Sequence, residues 1–513
     1  MTIFLIALII AFLCHLLPGR GKAEACFVVV AGRDASSTGR VLVGHNEDNR
    51  GELIMRHHYV KPREGKETLL SFEEGSAPVP AVWPALGFFW TETLRPAPGE
   101  PFGDSFVNER GVAVVSNTCC KSREDAPDLT DGGIGWGLRR IVAERAHSAR
   151  DAVRIASDLV LTHGYRGSGR SYAFADAREA WIFQAVNGKH FAAARVPDDH
   201  VLVNPNHYSI RNMRLGSPDE FLASPGLIEY AIKRGWYVPA RPGHYSDFDF
   251  AEAYQHPDYV MAPINEARHS FGLAIAAGVK IDLSARGARP PFSVRPLEPL
   301  SIKGVRDTLS CHCERPDDFN FDGPDGSGEW RTCPHDGGGI LPDENRRDAY
   351  TRICNGSNRE SLIADLHENS DDTVIWSCFG NPCILPMTPF HLGARAIPEH
   401  FAGHGPSELT QETEELTRLH FSATSEDVKA SECEAWRLSR KLVGWCDEDY
   451  SRRIAAIADK TADLRRKIAE SEEEEMDGKL EPGRARTSEM FLLKASEQAG
   501  LFVEAMRDLI GEV

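Results

Sequence analysis

Positive charge is scarce in this 513-residue chain, where 58 Lys and Arg stand against 76 Asp and Glu for a formal net charge of -18. That balance argues against nucleic acid or an anionic membrane as the main partner, since both are bound through clustered basic residues. A hydrophobic run long enough to cross a bilayer is also missing. The apolar stretch from Ile3 to Leu17 is interrupted by Cys14 and His15, and at roughly 15 residues it falls short of the ~20 that a spanning helix needs. No Lys or Arg precedes this stretch, and Arg20 and Lys22 follow it. The chain has no long low-complexity tract and no convincing internal repeat. With 42% hydrophobic and 26% charged residues its composition is that of a globular protein.

What is present starts at Ala23-Glu24-Ala25-Cys26. A short apolar leader ending in a small-x-small sequence is the pattern of a cleaved signal peptide, here residues 1–25, and the cut makes Cys26 the first residue of the mature chain. Whether signal peptidase or self-cleavage makes the cut is left open by the missing basic start. A secreted or lumenal protein is expected, with no stable membrane span after cleavage. Removing Cys14 with the leader leaves eleven of the 12 cysteines, an odd number. Cys26 is the candidate free thiol, and the other ten are expected to form up to five disulfides. Cys311-His312-Cys313 with Cys333 has the residue types of a metal site, but an oxidising compartment favours disulfides over thiolate zinc, so no metal is expected. Asn355-Gly356-Ser357 is a glycosylation sequon.

An N-terminal cysteine carries its own base. An α-amine with a pKa of about 7.7–8 accepts a proton from a thiol near 8.5 at little cost, so no catalytic histidine is required. The competing reading makes Cys26 half of a structural disulfide. Phe27 to Ala31 and Arg40 to His45 read as two strands around the polar turn Asp34 to Gly39, a hairpin that returns Asn46-Glu47-Asp48 to the side of Cys26. Asp48 is then placed to hold the α-ammonium, or is an ordinary turn residue. Asn117 ends a strand that starts near Val112, and Asn204 and Asn206 end another. Each offers an amide N–H to an oxyanion, or simply serves its turn. His57-His58 has no spaced partner and reads as surface or packing.

Helical spacing from Ile134 to Thr162 predicts two helices, the second capped by Ser148. Strand signals at Ser171 to Phe174, Ala180 to Ala185, His190 to Arg195 and His200 to Val203 read as an antiparallel meander. Residues Gly287 to Gly339 read as loops tied by disulfides. Thr373 to Ser377 reads as a strand, and the chain from about Ser407 as mostly helix, ending in an apolar one from Ser488 to Ile510. Strands, then helices, then strands predict an α+β class.

These motifs resemble the dipeptidase A family of N-terminal-nucleophile cysteine hydrolases, which includes the secernins. The resemblance opens with Cys26 and Gly44-His45-Asn46-Glu47-Asp48. It continues in order through Asn108-Glu109-Arg110-Gly111-Val112-Ala113, Ala180-Trp181-Ile182, Arg195-Val196-Pro197-Asp198-Asp199, Asn204-Pro205-Asn206, Ile353-Cys354-Asn355 and Val374-Ile375-Trp376. It implies a four-layer αββα sandwich, expected over residues 26–405, and the helical pattern of the rest is expected to form a region, 406–513, packed on it. The resemblance also implies catalytic Cys26 supported by Asp48 and by an asparagine after the meander, which is either Asn204 or Asn206, with Asn206 taken as the oxyanion donor. The residues themselves leave Asn46, Asn117 and Asn204 as further oxyanion or substrate-positioning candidates. Where the family has Trp-x-x-Glu this chain has Trp181-Ile182-Phe183-Gln184, which loses a charge. The expected activity is hydrolysis of dipeptides or small peptides without a cofactor. The alternatives are an amidase acting on non-peptide N-acyl compounds and a disulfide-rich binding protein without catalysis. Oligomeric state is not legible.

Overall fold

The structure is a computed structural model that describes residues 26–49, 53–94, 105–118, 121–213, 216–260, 263–281, 289–312, 335, 352–402, 420–467 except 451, 456, 459, 460, 463 and 465, and 488–511. The leader 1–25 and the 405/406 boundary lie outside the described residues, as do Cys119, Cys120, Cys313 and Cys333.

The chain opens with the expected hairpin. β1 (Phe27–Ala31) is apolar and buried throughout, and β2 (Leu42–Asp48) pairs with it antiparallel, Phe27 opposite Asn46 and Ala31 opposite Leu42. The run after it supplies β3 (Ile54–Val60), a short ribbon of β4 (Leu69–Leu70) and β5 (Val79–Pro80), then β6 (Phe88–Leu94), β7 (Ser105–Asn108) and β8 (Ala113–Thr118). Asn108-Glu109-Arg110-Gly111 is the β7–β8 turn, where Gly111 adopts φ 75°, a left-handed conformation that favours glycine. Two helices follow, α1 (Gly137–Arg145) and α2 (Ala149–His163), and Ser148 caps the second by accepting from the Asp151 amide.

Next come β9 (Arg170–Ala175), β10 (Ala180–Ala185), β11 (Phe191–Val196), β12 (Val201–Asn204) and β13 (Phe221–Ala223). Here the expected meander needs a correction. β9, β10 and β11 are neighbours in one sheet, but β12 leaves it and pairs with β1 in the other. The loop at Pro197 to Asp199 carries the crossing, its Asp198 carbonyl accepting from the amides of Asp34 and Ala35 beyond β1. Helices α3 (Pro263–Ala277) and α4 (Ile302–Leu309) precede β14 (Asn358–Asp365), β15 (Val374–Cys378) and β16 (Thr388–His391). α4 lies inside the stretch expected to be only loops. The C-terminal part supplies α5 (Glu434–Glu448) and α6 (Ser488–Gly511).

Two antiparallel sheets result, one in the order β12-β1-β2-β14-β15-β16 and one in the order β13-β11-β10-β9-β8-β7-β6-β3. Strand alternation assigns their faces. From β8, Ala113 and Val115 join the core between the sheets, while Val114 joins a second core with Trp90, Phe106, Leu138 and Val153. α1 and α2 cover that second face, and α3 and α4 cover the outer face of the other sheet. The layers are therefore αββα. α5 and α6 pack on each other, and α6 also packs on β16.

No disulfide is formed among the described residues. Among the described residues Cys26, Cys311, Cys354, Cys378, Cys383, Cys433 and Cys446 are all thiols. Cys378, Cys433 and Cys446 are buried in the core as small apolar side chains. Cys354 and Cys383 have their sulfurs 3.6 Å apart, far beyond the ~2.05 Å of a disulfide.

Candidate active site

Cys26 is the residue immediately before β1, buried at 4% exposure, and the pairing of β1 sets what surrounds it. On one side lies the end of β2. The Cys26 thiol donates to Glu47 Oε1 at 3.8 Å and to the Asp48 carbonyl at 3.7 Å. On the other side is the end of β12, so the β12 crossing brings Asn204-Pro205-Asn206 beside Cys26. The sequence motif was legible, but its position depends on the change of sheet.

Alternation along β2 divides its polar residues between two faces. His45 and Glu47 face the space between the sheets, and a His45 ring nitrogen, a Glu47 carboxylate oxygen and Cys26 Sγ lie within 4.8 Å of one another. His45 Nε2 meets Asn117 Oδ1 at 3.1 Å and Nδ1 meets Ser105 Oγ at 3.1 Å. An amide oxygen only accepts, so the ring proton is on Nε2. Burial pushes the His45 pKa down to about 4, so the ring is neutral at neutral pH and joins the two sheets as a hydrogen-bonding strut. Asn117 completes the link by donating from Nδ2 to the Asn204 carbonyl at 2.6 Å.

Asn46 and Asp48 face the helices. Asn46 Nδ2 donates to the carbonyls of Leu309 (2.9 Å) and Ile353 (3.3 Å), and its Oδ1 accepts from Ser361. All its polar atoms bind the scaffold, so it is a bracing residue rather than a donor to substrate. Asp48 Oδ2 accepts from Asn355 Nδ2 at 2.8 Å, and Oδ1 is buried with no hydrogen-bond partner among the described residues. Burial pushes the Asp48 pKa up to about 7, against the opposing pull of Arg268 and the Asn355 bond. The Asn355 side chain is engaged here, and a glycan on its nitrogen would forfeit the contact.

Asn204 and Asn206 now separate. Asn204 Nδ2 donates to the Pro205 carbonyl at 2.8 Å and Oδ1 accepts from Ser209 Oγ at 2.5 Å, so both ends serve the turn. Asn206 Oδ1 accepts from Arg268 Nη1 at 3.1 Å, and its carbonyl accepts from Asn265 at 2.9 Å. A guanidinium only donates, which fixes the amide orientation and leaves Asn206 Nδ2 buried without a hydrogen-bond partner among the described residues.

Arg268 was not anticipated from the sequence. It is fully buried on α3, and its second arm donates to the Cys26 carbonyl at 2.8 Å while its guanidinium lies over the Phe27 ring. One side chain therefore ties Cys26 to Asn206. The available signal was slight: an arginine three residues after an asparagine in an apolar helix. Glu47 lay inside a quoted motif without a role. Gln184 proves structural, its amide spanning Ser171, Ser209 and the backbone amides of Ser209 and Ile210, so it fixes the loop that carries Asn206. His57 and His58 are packing residues, both buried, with His58 bonded to Glu92 at 2.6 Å.

Comparison with known proteins places these residues in context. The profile of peptidase family C69 matches residues 25–419. A dipeptidase of Bifidobacterium longum is 23% identical over 510 residues, covering 89% of each chain. A probable dipeptidase of Latilactobacillus sakei is 23% identical over 79% of this chain and 83% of its own, and one of Salmonella dublin is 26% identical over 59% and 70%. Among solved structures, a mutant conjugated bile acid hydrolase of Clostridium perfringens aligns with a TM-score of 0.32 at 10% identity, over 72% of this chain and 92% of that one.

Proposed function

The chain belongs to peptidase family C69, and from that premise we propose that it is a cysteine-type dipeptidase that hydrolyses dipeptides or small peptides through a thioester on Cys26. The observation that carries this reading is that Cys26, at the start of β1, lies between strand ends that each carry a buried side-chain atom without a hydrogen-bond partner among the described residues: an acceptor, Asp48 Oδ1, at the end of β2, and a donor, Asn206 Nδ2, after β12. Buried polar atoms are rarely left without partners, and such groups call for an explanation. A mature Cys26 supplies one partner as its α-ammonium and the reaction supplies the other as an oxyanion.

In this mechanism the α-amine takes the thiol proton and Cys26 Sγ attacks the peptide carbonyl carbon. The negative charge that develops on oxygen is met by Asn206 Nδ2, whose orientation Arg268 holds. The tetrahedral species collapses, the C–N bond breaks, and the ammonium returns its proton to the leaving amine. Water, deprotonated by the same amine, then hydrolyses the thioester and frees the acid. Asp48 Oδ1 is the acceptor for that ammonium, whose charge draws the Asp48 carboxyl back down from the pKa of about 7 that burial gives it in the uncleaved chain.

Removal of residues 1–25 in a secretory compartment is part of the proposal, supported by the leader pattern, and it makes export and activation one event. The uncleaved chain has an amide in place of the base. Release of amino acids from dipeptides, compared with release from N-acyl amides lacking a peptide bond, tests the substrate class on protein whose N-terminus has been sequenced. Cys26→Ala should abolish turnover and leave thermal stability within a few degrees of wild type. Normal hydrolysis by that variant sinks the mechanism, and faster release from N-acyl amides replaces the substrate.

A further inference from the structure

Away from Cys26, four potential metal ligands converge. His312, which follows α4, His335, Cys354 and Cys383 place one ligand atom each within 4.8 Å of all the others. His312 Nε2 and His335 Nε2 are 3.2 Å apart, and the sulfurs of Cys354 and Cys383 are 3.6 Å apart. His335 Nε2 lies 3.7 Å from Cys354 Sγ and 3.3 Å from Cys383 Sγ. A tetrahedral zinc ion with bonds of about 2.3 Å to sulfur and about 2.05 Å to nitrogen sets edges of about 3.8 Å between sulfurs, about 3.3 Å between nitrogens and about 3.6 Å from sulfur to nitrogen. All four measured edges lie within a few tenths of an ångström of these. The same distances are too long for a disulfide, so the cluster has the size of a coordination shell.

The outer contacts agree. His335 Nδ1 meets the Asp447 carboxylate at 2.6 Å, which puts the ring proton on Nδ1 and directs the Nε2 lone pair at the cluster. That carboxylate–histidine pairing is the usual support of a metal-bound imidazole. Asn381 Nδ2 donates to Cys354 Sγ at 3.4 Å, a contact suited to a coordinated thiolate. The Tyr450 ring packs edge-on against both imidazoles. Two thiolates with two imidazoles favour zinc over the oxygen-seeking cations, and four protein ligands leave no open position, which marks a structural site.

We propose that His312, His335, Cys354 and Cys383 bind one structural zinc ion. The site would brace the reaction centre from behind. Cys354 lies between Ile353, whose carbonyl accepts from Asn46, and Asn355, which holds Asp48. Fixing residue 354 therefore fixes both contacts to the helix-facing side of β2. The neighbourhood was visible in the sequence as Cys311-His312-Cys313 with Cys333, but of those four only His312 belongs to this set.

The test is metal content of the full chain purified without chelator, by mass spectrometry of the metal and by colorimetric release on thiol modification. The expected result is about one zinc per chain, falling at least tenfold in Cys354→Ser and Cys383→Ser. Cys26→Ala should keep its zinc, which separates this site from the Cys26, His45 and Glu47 cluster. Should the serine variants fail to fold, two further measurements decide. His335→Cys, which retains four ligands, should bind stoichiometric metal, and cobalt exchanged into the wild-type chain should show tetrahedral bands with thiolate-to-metal charge transfer. Folded wild-type protein without metal, a Cys354–Cys383 disulfide in non-reducing peptide mapping, loss of zinc in Cys26→Ala or its retention in both serine variants would each overturn the assignment.

Discussion

Asn206→Asp changes one atom of a side chain and reverses what that atom does. The retained oxygen still accepts from Arg268 Nη1, 3.1 Å away in the wild type. The other position becomes an oxygen, an acceptor placed where the oxyanion must form. Losing a single oxyanion donor costs on the order of 10²–10³ in kcat, about 2.7–4 kcal/mol, and this is the loss expected for Asn206→Ala. The Asp variant adds repulsion between two negative oxygens about 3–4 Å apart, worth about 4 kcal/mol at an effective dielectric constant of about 20 before Arg268 offsets part of it. Its kcat should therefore fall below that of the Ala variant, by more than about 10³ from wild type.

Stability should order the two variants the other way. Wild-type Asn206 leaves a buried N–H without an acceptor, a cost of about 1–3 kcal/mol that either substitution removes. The Asp variant also turns the Arg268 contact into an ion pair, whereas Ala removes the Asn206 Oδ1 acceptor from it. Steady-state kinetics on a dipeptide, with thermal denaturation of the same preparations, measures both. The drop should appear in kcat with KM nearly unchanged, the signature of an interaction made only in the transition state. An Asp variant that keeps more than a tenth of wild-type kcat, or losses confined to KM, refutes the oxyanion role of Asn206.

Asp48→Asn tests the buried carboxyl through stability. With a native pKa of about 7 against about 3.9 unfolded, the folded uncleaved chain binds the extra proton between those values, so Asp48 makes stability fall as pH rises from about 4 to 7, by about 4 kcal/mol at most. The Asn variant should gain on wild type at pH 8 and not at pH 4 in denaturant titrations, and a difference independent of pH would remove the argument. Gly272→Ala tests packing beneath the nucleophile: a Cβ there would sit 2.4 Å from the Phe27 ring, the residue after Cys26. A loss of about 1–3 kcal/mol is expected from overpacking, with a fall in kcat as Cys26 is displaced, and unchanged melting temperature and rate would show that Phe27 does not position the thiol.

The parts of this molecule that could be read from sequence are those whose partners lie close along the chain. The β1–β2 hairpin followed from two apolar runs around a polar turn, and its register alone brought Glu47 and Asp48 to Cys26. Ser148 announced a helix start because a cap acts on the next turn. Four layers required more than local pattern, because β11 and β12 look alike as strands and differ only in which sheet receives them. That choice decides where Asn206 goes, so the motif was visible and its neighbour was not. Arg268 meets the Cys26 carbonyl across 242 positions, and a buried arginine gives no sign of itself in an apolar helix. The cysteines make the point most sharply. An odd count and an apolar leader led to disulfides, yet Cys354 and Cys383 face each other at 3.6 Å with two imidazoles alongside. Residue type and spacing limit what chemistry is possible, and the angle at which distant side chains meet selects among the possibilities. A pair of thiols becomes a disulfide at about 2 Å and a metal clamp nearly twice as far apart, a distinction that no spacing rule carries.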